Sequence, residues 1–305
     1  MLELNLYPWA VLVVVIAAAL AVDLAIFHRS QGNPTLLKAV AESAAWISLA
    51  LLFNAWIYFT RGPQAGTQFL TAYLVEKSLS ADNVLVFLVI FRAWNIPIRR
   101  QHRVLYYGVF GALILRGVFI FAGIALLRRI HFLLYVFGAV LLVAGIHMAL
   151  PQKPGDKGEN NWIFRLLRKA IPAAENYDGD AFVVRESGRW KATNLLLALL
   201  AIEVLDIVFA VDSVPAVLAI SRDAFIVYAS NAFAILGLRA LYFTLAETLP
   251  RIRFFHQSLA AILGFVGFKM ILSERLQISD SVSLAVIAAI LGVAIGASLL
   301  APRHS

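Results

Sequence analysis

The chain has 305 residues, 61% of them hydrophobic and only 14% charged, with a mean hydropathy of +0.83. Soluble domains carry nearer about 25% charged residues, so a water-soluble fold is excluded and an all-α polytopic membrane protein is expected. The net charge of +8 has no soluble face on which to meet nucleic acid, and the absence of cysteine removes disulfides and thiolate metal sites.

A window of about 19 residues finds about nine apolar segments, centred near Ile16, Ile47, Ser80, Leu115, Leu141, Ile207, Leu236, Phe265 and Ala289. Only Glu3 precedes the first, with no basic stretch before it and no small-residue cleavage site after it. It is therefore read as a true span and not as a removed signal. The expected layout is spans 1–5 in residues 1–150, a hydrophilic loop at 151–193, and spans 6–9 in residues 194–305. Within the loop, WIFRLLRKAI (162–171) has an amphipathic helical pattern suited to the inner headgroup layer or to packing on the membrane domain. After it, FVVR (182–185) and RWKA (189–192) flank Glu-Ser-Gly and predict a small hairpin. Most Lys and Arg, including Arg99, Arg100, Arg103 and the loop cluster, fall on one side, with Arg61, Arg128, Arg129, Arg222, Lys269 and Arg275 on the other. The positive-inside rule then sets the N-terminus outside and the C-terminus in the cytoplasm.

Two spans carry acids at the same spacing. EKSLSADNV (76–84) holds Glu76, Asp82 and Asn83, and DIVFAVDSV (206–214) holds Asp206, Asp212 and Ser213. Alternating topology sends these spans in opposite directions, which predicts an inverted repeat relating spans 2–4 to spans 5–7. GALILRGVFIF (111–121) and AILGLRALYFT (234–244) fit that repeat, each setting one arginine, Arg116 or Arg239, in an apolar helix.

A carboxylate at the bilayer centre costs about 2.5–3.5 kcal/mol on insertion scales, so several at a repeated spacing require compensation. At about 100° per residue, Glu76, Ser80 and Asn83 share one stripe while Asp82 points about 120° away. The acids therefore form two sub-sites, or the helix unwinds locally. Pro215 favours unwinding, because it cannot donate to the Val211 carbonyl. Asp23, Glu42, Asn54, Glu203 and Asn231 add further polar groups at membrane depth, Glu203 supporting Asp206 from about 60° round the same helix.

Oxygen donors of this kind suit a hard divalent cation, Mn²⁺, Mg²⁺ or Ca²⁺. Zinc or copper would call for His or Cys, and of the six His only His147 falls near the inner end of a span. Arg116, Arg239 and Lys77 are read either as buried counter-ions or as stand-in cations that pair with the acids when the site is empty. No His-Glu-x-x-His, Gly-x-Ser-x-Gly or phosphate-binding loop is present, which disfavours an enzyme or an ATP-driven pump.

VEKSLSADNVLVF (75–87), IEVLDIVFAVDSVPA (202–216) and SNAFAILGLRALYF (230–243) resemble the TerC family of integral membrane proteins, most of all its alkaline-inducible Alx branch. The resemblance covers nearly the whole chain, including AVDL with Asp23 and LLFNAWIY with Asn54. The family is tied to tellurium resistance by name. The resemblance implies Mn²⁺ export from the cytoplasm along Glu76, Asp82, Asn83, Asp206, Asp212 and Ser213, with Asp23 a further candidate. One position departs from the pattern that the resemblance implies: Leu205 stands where a serine is expected, and if that hydroxyl were a ligand, Leu205 would remove it. Plant relatives are linked to membrane-protein assembly, which leaves a scaffold role as the alternative, and a metal-gated sensor is a third reading. The expectation is a transporter without a resident cofactor, with metal ion, protons and lipid as partners, nucleic acid excluded and oligomeric state open.

Overall fold

The computed structural model describes residues 6–29, 36–130, 132–149, 169, 171–174, 179–186, 188–248, 254–273 and 278–300. The amphipathic segment expected at 162–171 lies almost wholly outside them. The described residues form ten helices and one hairpin: α1 (Leu6–Arg29), α2 (Leu36–Arg61), α3 (Pro63–Ala93), α4 (Ile98–Arg129), α5 (Leu133–Ala149), β1 (Val183–Glu186), β2 (Arg189–Ala192), α6 (Asn194–Leu218), α7 (Ala224–Leu236), α8 (Leu238–Thr248), α9 (Phe255–Ile271) and α10 (Asp280–Leu300). Backbone polar groups at membrane depth must be satisfied within the segment, so each apolar run is helical. Among the described residues α1, α2, α4, α6 and α10 are long and apolar enough to cross a membrane, and the bent pair α7/α8 makes a sixth. Helices α5 and α9 are apolar but have only 17 residues each. Helix α3 is long, but Glu76, Lys77 and Asp82 interrupt its apolar run.

Local chemistry sets the turns. After α2, Gly62 takes φ 94° and its N–H bonds the Tyr58 carbonyl, a left-handed cap that glycine adopts freely. Pro63 then opens α3, where its missing N–H costs nothing. Asn95, at φ 50°, closes α3 with a bond from the Ile96 N–H to the Phe91 carbonyl, and Pro97 stands at the N-cap of α4. Asp223 caps α7 by accepting from the Phe225 N–H at 2.9 Å.

Contacts between ends order the bundle. At one end Arg61 meets Asp223, Gln68 Nε2 donates to Asp280, and the Ser221 hydroxyl donates to Gln68. At the other, Arg100 meets Asp180, the Asn194 amide reaches the Trp94 carbonyl, and Tyr242 donates to Gln101. Helix α3 runs between these ends through the centre, packed by α2, α6, α7, α8 and α10. The hairpin pairs Val183 with Ala192 and Glu186 with Arg189 in antiparallel register. Its first strand is one residue later than the sequence pattern suggests, because Glu186 pairs in the ladder and Gly188, at φ 79°, makes the turn.

Two sequence expectations are corrected. Helix α6 does not unwind at Pro215: it stays helical to Leu218, and the Ala219 N–H bonds the Pro215 carbonyl. Membrane helices tolerate an internal proline because local adjustment and neighbours absorb the lost bond. Lys269 is not in a loop but in α9, buried, donating to Ser283 at 2.8 Å and lying 3.7 Å from Asp280.

Helices α5 and α9 meet backbone to backbone. A Cβ placed on Gly267 would stand 2.9 Å from the Gly138 carbonyl oxygen, and one on Gly145 would stand 3.0 Å from that of Ala260. Such small-residue seams give membrane helices their contact in the absence of a hydrophobic drive. Gly267→Val is expected to lower the thermal stability of the detergent-solubilised protein, at a cost of about 1–3 kcal/mol for the overpacked contact. A melting temperature equal to wild type would show that the seam opens without cost.

Candidate functional site

Four helices meet at Arg116, near the middle of α4. Its guanidinium is 1% exposed and faces Glu76 of α3, Asp206 of α6 and Asn231 of α7, of which Glu76 and Asn231 are fully buried. Nε and Nη2 straddle the Asp206 carboxylate at 3.3 and 3.1 Å, the forked geometry that makes arginine the preferred partner of a carboxylate. Nη1 donates to Glu76 Oε1 and, at 3.1 Å, to Asn231 Oδ1. Asn231 is held in turn by its own amide, which donates to the Val227 carbonyl. The corresponding acids of the two similar motifs thus converge on one cation.

Charge at this centre does not balance. One arginine faces two carboxylates, and Asp212, less buried on α6, lies within electrostatic reach of both Glu76 and Arg116. Among the described residues Glu76 Oε2 and the Ser213 hydroxyl are buried and neither accept nor donate a hydrogen bond. Glu203, a turn back along α6, presses its carboxylate on Gly111 of α4, so closely that a Cβ there would overlap it. Its Oε2 is also unpartnered among the described residues, and Asp206 adds its charge nearby. An unsatisfied buried oxygen costs about 1–3 kcal/mol, and such oxygens beside more than one carboxylate can accept protons or a cation.

A second centre repeats the ratio. Arg239, at the start of α8, donates to Asp23 of α1 at 2.7 Å and stands 3.6 Å from Glu42 of α2. Among the described residues its Nε has no partner, and Asn54 of α2 keeps a buried, unpartnered Oδ1. Eight residues of helix separate Asn231 from Arg239, about 12 Å at 1.5 Å per residue, so the two centres sit at different levels of the broken span. Between them lies the break itself, where Gly237 joins α7 to α8 at 43° and Lys77 donates to the Ala234 carbonyl at 3.1 Å.

The structure therefore brings Glu76, Asp206 and Arg116 together, with Asp212, Ser213 and Glu203 beside them, and sets Asp23, Glu42 and Arg239 apart. Ser80 and Asn83 are buried on α3. Asp82 belongs to α3, but its side chain lies outside the described residues. Among the described residues no three His, Cys, Asp or Glu side chains gather as a metal-ligand group. Sequence reasoning noted Asn231 only as one more polar residue at depth, and a lone amide in SNAF gives no sign that it completes the shell of an arginine more than a hundred positions earlier. It missed the polar link of Lys269, Asp280, Gln68 and Ser221 entirely, because those residues read as loop polarity.

Comparison with known proteins agrees with this architecture. Residues 61–305 match the family model described as the integral membrane protein TerC family. The chain is 46% identical over 297 residues to the uncharacterized membrane protein STKORF319 of Myxococcus xanthus, covering 97% of this chain and 93% of that one. It is 43% identical over 293 residues to Alx of Escherichia coli K12, named as a candidate membrane-bound redox modulator, covering 93% of this chain and 91% of that one. A membrane protein of Rickettsia felis is 37% identical over 292 residues, covering 96% of this chain and 97% of that one. No solved structure matches the chain. With the family model matched over most of its length and Alx relatives aligned almost end to end, the chain belongs to the TerC family of integral membrane proteins and is a multi-pass membrane protein.

Proposed function

We propose that this protein exports a hard divalent cation, Mn²⁺ foremost and Ca²⁺ or Mg²⁺ less so, from the cytoplasm of a bacterial cell in exchange for protons. The observation that carries the reading is the Arg116 centre, where Glu76 and Asp206 share one guanidinium while Glu76 Oε2 and the Ser213 hydroxyl remain unpartnered among the described residues. Carboxylate and hydroxyl oxygens are the donors that Mn²⁺ accepts, and Asp212 and Asp82 extend them along the two motif helices. The corresponding positions of the two motifs, and the antiparallel run of α3 and α6, support a nine-span plan with an inverted repeat about this centre. The excess of Lys and Arg at the hairpin end supports placing that end, and the C-terminus, in the cytoplasm.

Energetics require coupling. Moving a divalent cation out against a negative-inside potential costs about 4.6 kcal/mol per 100 mV, twice the single-charge value. Protons entering from outside and neutralising the acids would release the metal, and metal arriving from the cytoplasm would displace them. Mn²⁺ flux in proteoliposomes is expected to follow an imposed pH gradient and to reverse when the gradient is reversed. Flux indifferent to the gradient would overturn proton coupling.

The name of the Alx relatives raises redox modulation as another reading. A thiol-based form of it has no residue here, since the chain contains no cysteine.

A further inference from the structure

Among the described residues Lys77 is a lysine at membrane depth without a carboxylate partner, which needs a reason. Among the described residues its ammonium has one acceptor, the Ala234 carbonyl oxygen at 3.1 Å. Its chain neighbour Glu76 turns instead to Arg116, while Asp23 and Glu42 turn to Arg239. The position of Ala234 supplies the explanation. Helix α7 stops at Leu236, and the chain bends by 43° at Gly237 before α8 begins its own ladder with the bond from the Leu241 N–H to the Gly237 carbonyl. Among the described residues the Ala234 carbonyl takes no backbone N–H from α8, while the Ile235 carbonyl takes the Gly237 cap N–H. They also form the negative end of the helix dipole. A bare set of carbonyl oxygens at a half-helix C-terminus is how broken membrane helices coordinate an alkali cation.

We propose that the α7/α8 break is a monovalent cation site whose occupant is the Lys77 ammonium, a tethered cation standing where other broken-helix transporters would need free Na⁺. An ammonium carries the same single charge and asks for the same oxygen donors, with three N–H groups to offer. The packing shows how closely it is seated. A Cβ on Gly237 would come within 2.8 Å of Lys77 Nζ and 3.0 Å of Trp46 Cβ, so a side chain there would drive the ammonium off the break. The consequence is that the wild-type protein has no requirement for sodium, and that removing the ammonium creates one.

The test is the melting temperature of the full-length protein in detergent, with NaCl exchanged for choline chloride at constant ionic strength. Wild type and Lys77→Arg, which keeps the charge, are expected to be indifferent to the exchange. Lys77→Met is expected to melt several degrees lower in choline and to recover in sodium, with the recovery saturating as a bound ligand requires. A flat response of Lys77→Met would overturn the proposal, and so would a sodium-dependent wild type. Should Lys77→Met fail to fold in either salt, Lys77→Ala decides, since it removes the charge and empties the space beside the Ala234 carbonyl: sodium-dependent melting supports the site, and indifference overturns it. Because the readout needs no transport, a wild type without Mn²⁺ flux would sink the exporter reading and leave this one standing.

Discussion

Replacing Arg116 with methionine is expected to destabilise the protein by about 3–5 kcal/mol, the cost of leaving buried charges uncompensated. The guanidinium bridges Glu76 and Asp206 and donates to Asn231, so its loss unties α3, α4, α6 and α7 at one point. Protons would bind one or both acids to limit the damage. The decisive comparison is the triple variant Glu76→Gln, Asp206→Asn, Arg116→Met. A buried ionic cluster contributes little net stability relative to a neutral one of the same shape, so the triple variant is expected to regain most of the melting temperature lost by Arg116→Met. It is also expected to transport nothing. If the triple variant melts as low as the single one, the cluster is a structural lock valued for its hydrogen bonds. If it transports, the cluster is not the ion path.

Asp212→Asn is the other substitution with a large expected effect, and it acts on transport with little effect on stability. Asp212 is only partly buried, and its charge lies in the field of Glu76 and Arg116 without an ion pair of its own among the described residues. The amide keeps the shape and removes the charge, so the helix is expected to persist while the affinity of the centre for a divalent cation falls by at least about tenfold, equivalent to about 1.4 kcal/mol. In cells lacking their own exporters, wild type is expected to lower accumulated Mn²⁺, with Asp212→Asn and Asp82→Asn failing to do so at matched membrane expression. An unchanged phenotype for both variants, alongside loss of phenotype on altering the hairpin loop, would favour the assembly role.

These two experiments separate what the centre holds together from what it is proposed to move. Arg116 supplies cohesion by drawing acids from different helices onto one planar cation. Asp212, Ser213 and the free oxygen of Glu76 are the groups that the arginine leaves unused. A transporter requires both, since an ion path lined only by satisfied groups offers an entering cation no ligand, and one lined only by free carboxylates would not assemble in lipid.

Much of this was legible in the chain. A charge within an apolar run stands out because the bilayer penalises it, and Glu76, Asp206, Arg116, Asp23 and Arg239 were all visible on that ground. Their pairing was not. Spacing along one helix says which side chains share a stripe, yet whether Arg116 takes one motif acid or both depends on how four helices cross. The break at Gly237 was hidden as well, since AILGLRALYF reads as one apolar helix carrying a single arginine, and only the approach of Lys77 and Trp46 shows how tightly a side chain there would be met. Pro215 misled in the opposite direction, signalling an unwinding that the packed bundle does not make.

Composition and hydropathy by themselves determined that this is an all-α membrane protein with acids and arginines at depth, because a lipid solvent leaves the backbone no other choice and makes every buried charge conspicuous. Only the tertiary structure decided that Glu76 and Asp206 converge on Arg116 while Asp23 and Glu42 go to Arg239, and that Lys77 reaches the Ala234 carbonyl beside the helix bend, because these contacts join residues far apart in the chain whose meeting depends on helix packing, which periodicity does not encode.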